Sequence, residues 1–122
     1  MLYNAIIVLS VLGTTIPSMN DVQLYLQRGH EDDALQLLQE RVNQAPKDIE
    51  SILTLALLEM ENENYAEAAR YFEMILALDP YDDDSRLELA EAYWRMAASD
   101  KAKEQLTHIL DRHPEWPQAL AL

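Results

Sequence analysis

Cysteine is absent from the 122 residues, and only two glycines and nine basic side chains are present. Without cysteine there are no disulfides and no thiolate chemistry. The compartment stays open on that count, because a cysteine-free chain suits reducing and oxidising spaces alike. So few glycines leave no Gly-rich phosphate loop and no nucleophile elbow, both of which need backbone that only glycine adopts freely. The shortage of lysine and arginine against 22 acidic residues sets the formal charge at −13. Nucleic acid and anionic membranes would repel such a chain, whereas an apolar or basic partner is tolerated. About half the residues (49%) are apolar, which is enough to build a core and argues against disorder.

One almost wholly apolar run, Leu2 to Leu12, is followed by Gly13. It is too short to span a bilayer. One reading is an N-terminal capping helix over residues 1–16 that stops at Gly13. The other is a signal or anchor segment over residues 1–13, with Val11-Leu12-Gly13 as a mediocre cleavage site and no basic residue before the run. The first is compatible with the cytoplasm. The second implies a periplasmic or secreted protein, with membrane contact only if residues 2–12 act as signal or anchor.

What the chain does contain is a repeat. Pro46, Pro80 and Pro114 are each 34 residues from the next, and Ala34, Ala68 and Ala102 keep the same interval. So do Leu38, Phe72 and Leu106, and the small column Val22, Ala56 and Ala90. Tyr25 and Tyr93 lie two periods apart, with Glu59 between them. Several columns in one register point to a stacked supersecondary unit. Within a unit, Ile52, Leu55, Ala56 and Glu59 follow helical spacing until the polar break at residues 61–64. Tyr65, Ala68, Ala69, Phe72, Ile75 and Leu76 then resume it as far as Asp79-Pro80. The alanines allow two helix axes to cross closely. Each proline ends the second helix, because it cannot continue one and pushes the residue before it out of helical geometry. Asp82, Asp83 and Asp84 open the next helix, at the positive end of its dipole.

Period, paired helices and proline punctuation together resemble the tetratricopeptide repeat family over roughly Ser18 to Pro114. The resemblance implies an all-α, right-handed solenoid of antiparallel helix pairs, a TPR-like superhelix. Its expected units are residues 17–46, 47–80 and 81–114, with 115–122 starting a cap or a further repeat helix. Unit one departs most: Asp21 stands where the family usually has leucine and Arg41 replaces a small apolar residue, which predicts weaker packing there. Ser18-Met19-Asn20-Asp21 after Pro17 reads as a capping box, so the first helix is expected to start late. At the other end, either Trp116 and Leu120 fold over the last pair, or the chain is cut from a longer array.

Catalysis and metal binding find little support. Glu104, His108 and Asp111 read as a solvated helix face rather than a metal site. The run from Asp79 to Asp84 lacks the glycine and the distal glutamate of an EF-hand loop, and reads as helix capping. No enzyme activity, cofactor or small-molecule substrate is therefore expected.

A second stripe carries the functional reading. Leu53, Leu57 and Met60 lie about 100° around the first helix of unit two from its core stripe. The matching positions are Met19, Gln23 and Leu26 in unit one, and Leu87, Glu91 and Trp94 in unit three, with Glu88 and Arg95 among their polar neighbours. By the resemblance, these columns line a concave groove that takes partner peptides. Family members that clamp acidic chaperone tails use lysine, arginine and asparagine here, whereas this chain has leucines and glutamates. The expected partner is a protein or peptide segment of apolar or basic character. An assembly-type chaperone of bacterial secretion systems, and a structural fragment of a larger repeat protein that self-associates as a homo-oligomer, are the alternatives.

Overall fold

A computed structural model describes residues 17–122. The apolar segment 1–16, with both of its readings, lies outside the described residues. Among those described, seven helices and no strand occur: α1 (Met19–Gln27), α2 (Glu31–Gln44), α3 (Ile49–Glu61), α4 (Tyr65–Leu78), α5 (Asp83–Arg95), α6 (Ser99–Arg112) and α7 (Pro117–Leu120). The chain divides inside α3 into two compact units, Met1–Ser51 and Ile52–Leu122. Each is described by itself.

The turns explain the 34-residue period better than the helices do. Three residues separate α1 from α2, α3 from α4 and α5 from α6. In each turn the middle residue has a positive φ: Gly29 at 75°, Glu63 at 60° and Ala97 at 59°. Reversing the chain there brings two backbone N–H groups back onto the helix just completed. His30, Asn64 and Ala98 donate to the carbonyls of Tyr25, Glu59 and Tyr93 at 2.8, 2.8 and 2.9 Å. Gly29, Glu63 and Ala97 donate to Leu26, Met60 and Trp94 at 3.1, 3.1 and 3.0 Å. This pair of bonds is the Schellman motif, which satisfies carbonyls that a helix end otherwise leaves open. His30, Asn64 and Ala98 then accept from the N–H groups of Ala34, Ala68 and Ala102, so the next helix begins with no slack.

The connections after the second helices are as regular. Ala45, Asp79 and His113 each close the preceding helix and stand before the periodic proline. Their carbonyls accept from the N–H of Asp48, Asp82 and Trp116 at 3.0, 3.2 and 3.1 Å. Asp82 caps α5 by accepting from the Ser85 N–H at 3.1 Å and its hydroxyl at 2.8 Å. Asp48 holds the Ser51 hydroxyl at 2.6 Å in the same way. Both serines are buried, so the aspartates supply the bonds that burial would deny them. The third instance breaks the pattern: Trp116 and Ala119 occupy the Asp and Ser positions before the short α7.

In the second unit α5 packs on α4 and on α6, and α6 on α7. Their shared core is Ala68, Phe72, Ile75, Leu89, Ala90, Ala102 and Ile109, with Tyr93 closing one side through a hydrogen bond from its hydroxyl to Glu73. Leu106, the periodic partner of buried Leu38 and Phe72, is only half-buried. In the first unit α1 packs on α2 around Val22, Ala34, Leu37 and Leu38. Ser18 caps α1 by accepting from the Asp21 N–H at 3.1 Å, and α1 starts at Met19 as the capping pattern predicts.

Arg41 occupies the column that holds buried Ile75 and Ile109 in the later repeats. Its guanidinium is not left without partners. Nε donates to the Ser51 hydroxyl at 2.8 Å, Nη2 to the Asp48 carboxylate at 2.7 Å, and Nη1 to the Pro17 carbonyl. Unit one thus replaces an apolar contact with a polar junction that ties the chain before α1 to the start of α3. The Ser51 hydrogen bond, together with Arg41, holds the Asp48 carboxyl below the usual carboxylate range, against the opposing effect of burial.

Two outcomes are expected. A side chain in left-handed geometry costs about 1 kcal/mol relative to glycine. Ala97→Gly should therefore raise the urea midpoint with an unchanged m-value, and Gly29→Ala should lower it by a similar amount; no gain for Ala97→Gly would contradict the turn geometry. Arg41→Leu should destabilise by about 1–2 kcal/mol by leaving the half-buried Asp48 without its cation and the Ser51 hydroxyl and Pro17 carbonyl without their donor. Adding Asp48→Asn should then recover part of that loss, and fully additive effects in the double-mutant cycle would argue against the junction.

Candidate functional site

The sequence-predicted surface columns fall in both compact units. In the first, Met19 and Leu26 are half-buried on α1 and Gln23 is exposed. Met19 is already engaged, since its Sδ accepts from the Ser51 hydroxyl at 3.7 Å.

In the second unit, α3 turns Ile52, Leu55 and Ala56 fully inward. Leu53 and Met60 are half-buried beside them, and Leu57 is 41% exposed. On α5 the inward side is Ser85, Leu89, Ala90, Ala92 and Tyr93. The adjoining side carries Leu87, Glu88 and Glu91, all half-buried, and ends in exposed Trp94 and Arg95. Trp94 keeps 47% of its surface in solvent, a large apolar ring that the fold covers only in part.

Charge along that side of α5 is unbalanced. Asp84, Glu88 and Glu91 are one helical turn apart from one another and share a face. Glu91 is partnered, accepting from Arg95 Nε at 2.8 Å, and the Arg95 guanidinium also sits 6.0 Å from the Tyr65 ring. Glu88 makes no ion pair among the described residues. Burial, then the nearby charges of Glu91 and Asp84, push its carboxyl above the usual range. The chemistry offered is a half-buried anion that lacks a cation, on the same helix as a partly open indole.

Sequence reasoning missed a second constellation, where the α4–α5 turn meets the α6–α7 turn. Asp83 Oδ2 accepts from Arg112 Nε at 3.1 Å and lies 2.9 Å from His113 Nε2, and Arg112 Nη2 bonds Asp83 Oδ1 as well. The Arg112 hydrogen bond, with help from His113, holds the Asp83 carboxyl below its ordinary range. Trp116 stands edge-on to His113 with ring centroids 5.5 Å apart. Tyr81, 77% exposed, lies under the Arg112 guanidinium at 5.6 Å. These residues line a cavity of about 870 Å³. A signal was available: Tyr81 and Trp116 are aromatic where the 34-residue register elsewhere places Lys47 and Glu115, and Asp48 and Asp82. Glu104, His108 and Asp111 form no such centre; among the described residues no cluster of three or more side chains suits a metal ion.

The raised carboxyl of Glu88 has a definite sign for stability. A glutamate whose folded pKa exceeds its unfolded one favours folding below the unfolded value, and that contribution is lost as pH rises through the folded one. At pH 7 the native state therefore carries a penalty, from burial of the charge first and repulsion by Glu91 and Asp84 second, that glutamine removes. Glu88→Gln should raise the thermal midpoint at neutral pH, and the gain should vanish near about pH 3, where both states bind the proton. Circular dichroism melts at the two pH values measure it, and equal midpoints at neutral pH would refute the penalty.

A comparison with protein families matches a tetratricopeptide repeat profile to residues 59–122, just over half of the chain. No curated protein matches significantly. Among solved structures, the chain is similar to the first tetratricopeptide domain of Spaghetti (RPAP3) bound to the HSP90 peptide SRMEEVD. The TM-score is 0.71 at 16% identity, over 84% of this chain and 81% of that one. At that identity the likeness speaks for the fold, which is the helical-repeat fold expected from the 34-residue register. With repeat, turns and profile in agreement, the chain belongs to the tetratricopeptide repeat family.

Proposed function

We propose that the protein is an interaction module that binds an apolar or basic segment of another polypeptide, and that it is not an enzyme. The observation that carries this reading is α5, where half-buried Glu88 has two acidic neighbours and no cation, and where Trp94, six residues further along the same helix, leaves about half of its ring open. A lysine or arginine from a partner would relieve that repulsion, and an adjacent apolar side chain would cover the indole. Leu53, Leu57 and Met60 on α3, and Leu87 and Arg95 on α5, are the further contacts this reading assigns in the second unit. Met19, Gln23 and Leu26 hold the matching register positions in the first unit.

Family membership supports a protein-interaction role in general, and the Spaghetti domain is described as bound to a peptide. That peptide, SRMEEVD, carries three acidic residues and one basic one. On this chain, Asp84, Glu88 and Glu91 would repel it. The partner class is therefore the electrostatic opposite of that peptide.

A photocrosslinking residue at position 57, used in native extract, identifies the bound segment. Calorimetric titration of that segment, made synthetically, should show Leu57→Glu and Trp94→Ala weakening binding about tenfold or more, with helicity intact. A control needs no partner: SRMEEVD should bind more weakly than a version with its three acidic residues changed to lysine, and the gap should close at high salt. Undiminished affinity in both variants, or equal binding of the two peptides at low salt, would defeat the assignment. A stable homo-oligomer in sedimentation that Leu57→Glu disperses would replace it with self-association.

A further inference from the structure

We infer that the cavity between the α4–α5 and α6–α7 turns is a second recognition site, one that takes an arginine side chain of a partner polypeptide. Of its lining only Asp84 is shared with the α5 side described above, and the inference does not depend on that reading. It is a depression of about 870 Å³ that lies open to solvent, so its lining and not its volume selects the ligand.

The repeat itself provides the first argument. Where Trp116 stands, the two preceding repeats have Asp48 and Asp82, each bonding a buried serine, and Ala119 replaces that serine. A capping interaction that the fold uses twice is given up for an aromatic ring. Tyr81, mostly exposed, lies outside the core, and its register partners Lys47 and Glu115 are charged. Two aromatics that break the local pattern therefore face one cavity, and departures of this kind gather at functional sites.

Charge and geometry then select the ligand. The cavity already holds the required interaction in miniature: the Arg112 guanidinium is gripped by Asp83 and lies over Tyr81. With Arg112 and His113 both spent on Asp83, the remaining acids dominate. Asp79 accepts from the Tyr81 N–H, and Asp82 caps α5. Asp84 and Glu115, both exposed at the rim, make no ion pair among the described residues. A planar cation that stacks on an aromatic face while donating to carboxylates fits this lining, and guanidinium does both where ammonium does only the second well.

The test is a two-dimensional 1H–15N titration of the full chain with N-acetyl-arginine amide, following the indole N–H signals of the two tryptophans. Trp116 reports this cavity and Trp94 reports the side of α5, so the two assignments succeed or fail separately. A saturable shift of the Trp116 signal is expected, absent with the neutral isostere N-acetyl-citrulline amide. The Glu115→Gln variant, altered only at an exposed position outside the α5 side, should weaken the apparent affinity about twofold or more, as should Tyr81→Ala. A Trp116 signal that stays still, drifts without saturating, or moves equally with sodium chloride or the citrulline probe would overturn the site. Equal affinity for N-acetyl-lysine amide would overturn its assignment to arginine.

Discussion

The structure depends on a reversal of the backbone at one position in every repeat. At Gly29, Glu63 and Ala97 the chain enters left-handed geometry, and only there can two N–H groups turn back to close the finished helix while the next begins. With three residues in each turn, the second helix of a pair has little choice but to run back beside the first. The buried alanines follow from this: Ala34, Ala68 and Ala102 lie four residues after the turn's last residue, where the close approach leaves room for a methyl group alone. The residues that satisfy the bend vary in quality. Glycine fits it without strain, whereas glutamate and alanine accept strain that neighbouring packing must offset.

Polar groups repeat with the same discipline where the proline turns pass into the next helix. Asp48 with Ser51, and Asp82 with Ser85, keep buried hydroxyls bonded. Arg41 adds a charged variant of this solution in unit one. Its presence in an isoleucine column is tolerable because all three donor nitrogens find an oxygen. A charge of −13 is handled differently along the chain: Asp48, Asp83 and Glu91 have arginine partners, whereas Glu88 has none. Half-burying an anion beside two others opposes folding, so Glu88 does not hold its position by stabilising the helix pair at neutral pH.

Much of the fold was legible as spacing. The 34-residue columns of proline and alanine, the capping pattern at Ser18 and the acidic helix start at Asp82–Asp84 all express short-range rules, and short-range rules act on neighbouring residues. Register alone could also propose the surface stripes, because helical periodicity assigns Leu57, Glu91 and Trp94 to one angular position. It could not rank them. Met19 differs from its column partners by lying against Ser51, 32 residues away, and no local pattern carries that information.

By itself the sequence determined an all-helical repeat, its period and its sign of charge, since the first two follow from backbone preferences within a few residues and the third from composition. Only the tertiary structure decided which charges are paired and which are stranded. Arg41, predicted as a flaw in packing, became a junction because Pro17, Asp48 and Ser51 converge on it. Asp83, Arg112, His113, Tyr81 and Trp116 became one cavity because α5 and α6 pack side by side and bring residues about thirty positions apart within hydrogen-bonding range. Electrostatic energy depends on distance and burial, and in a helical repeat both are set across the helix pairs, not along the chain.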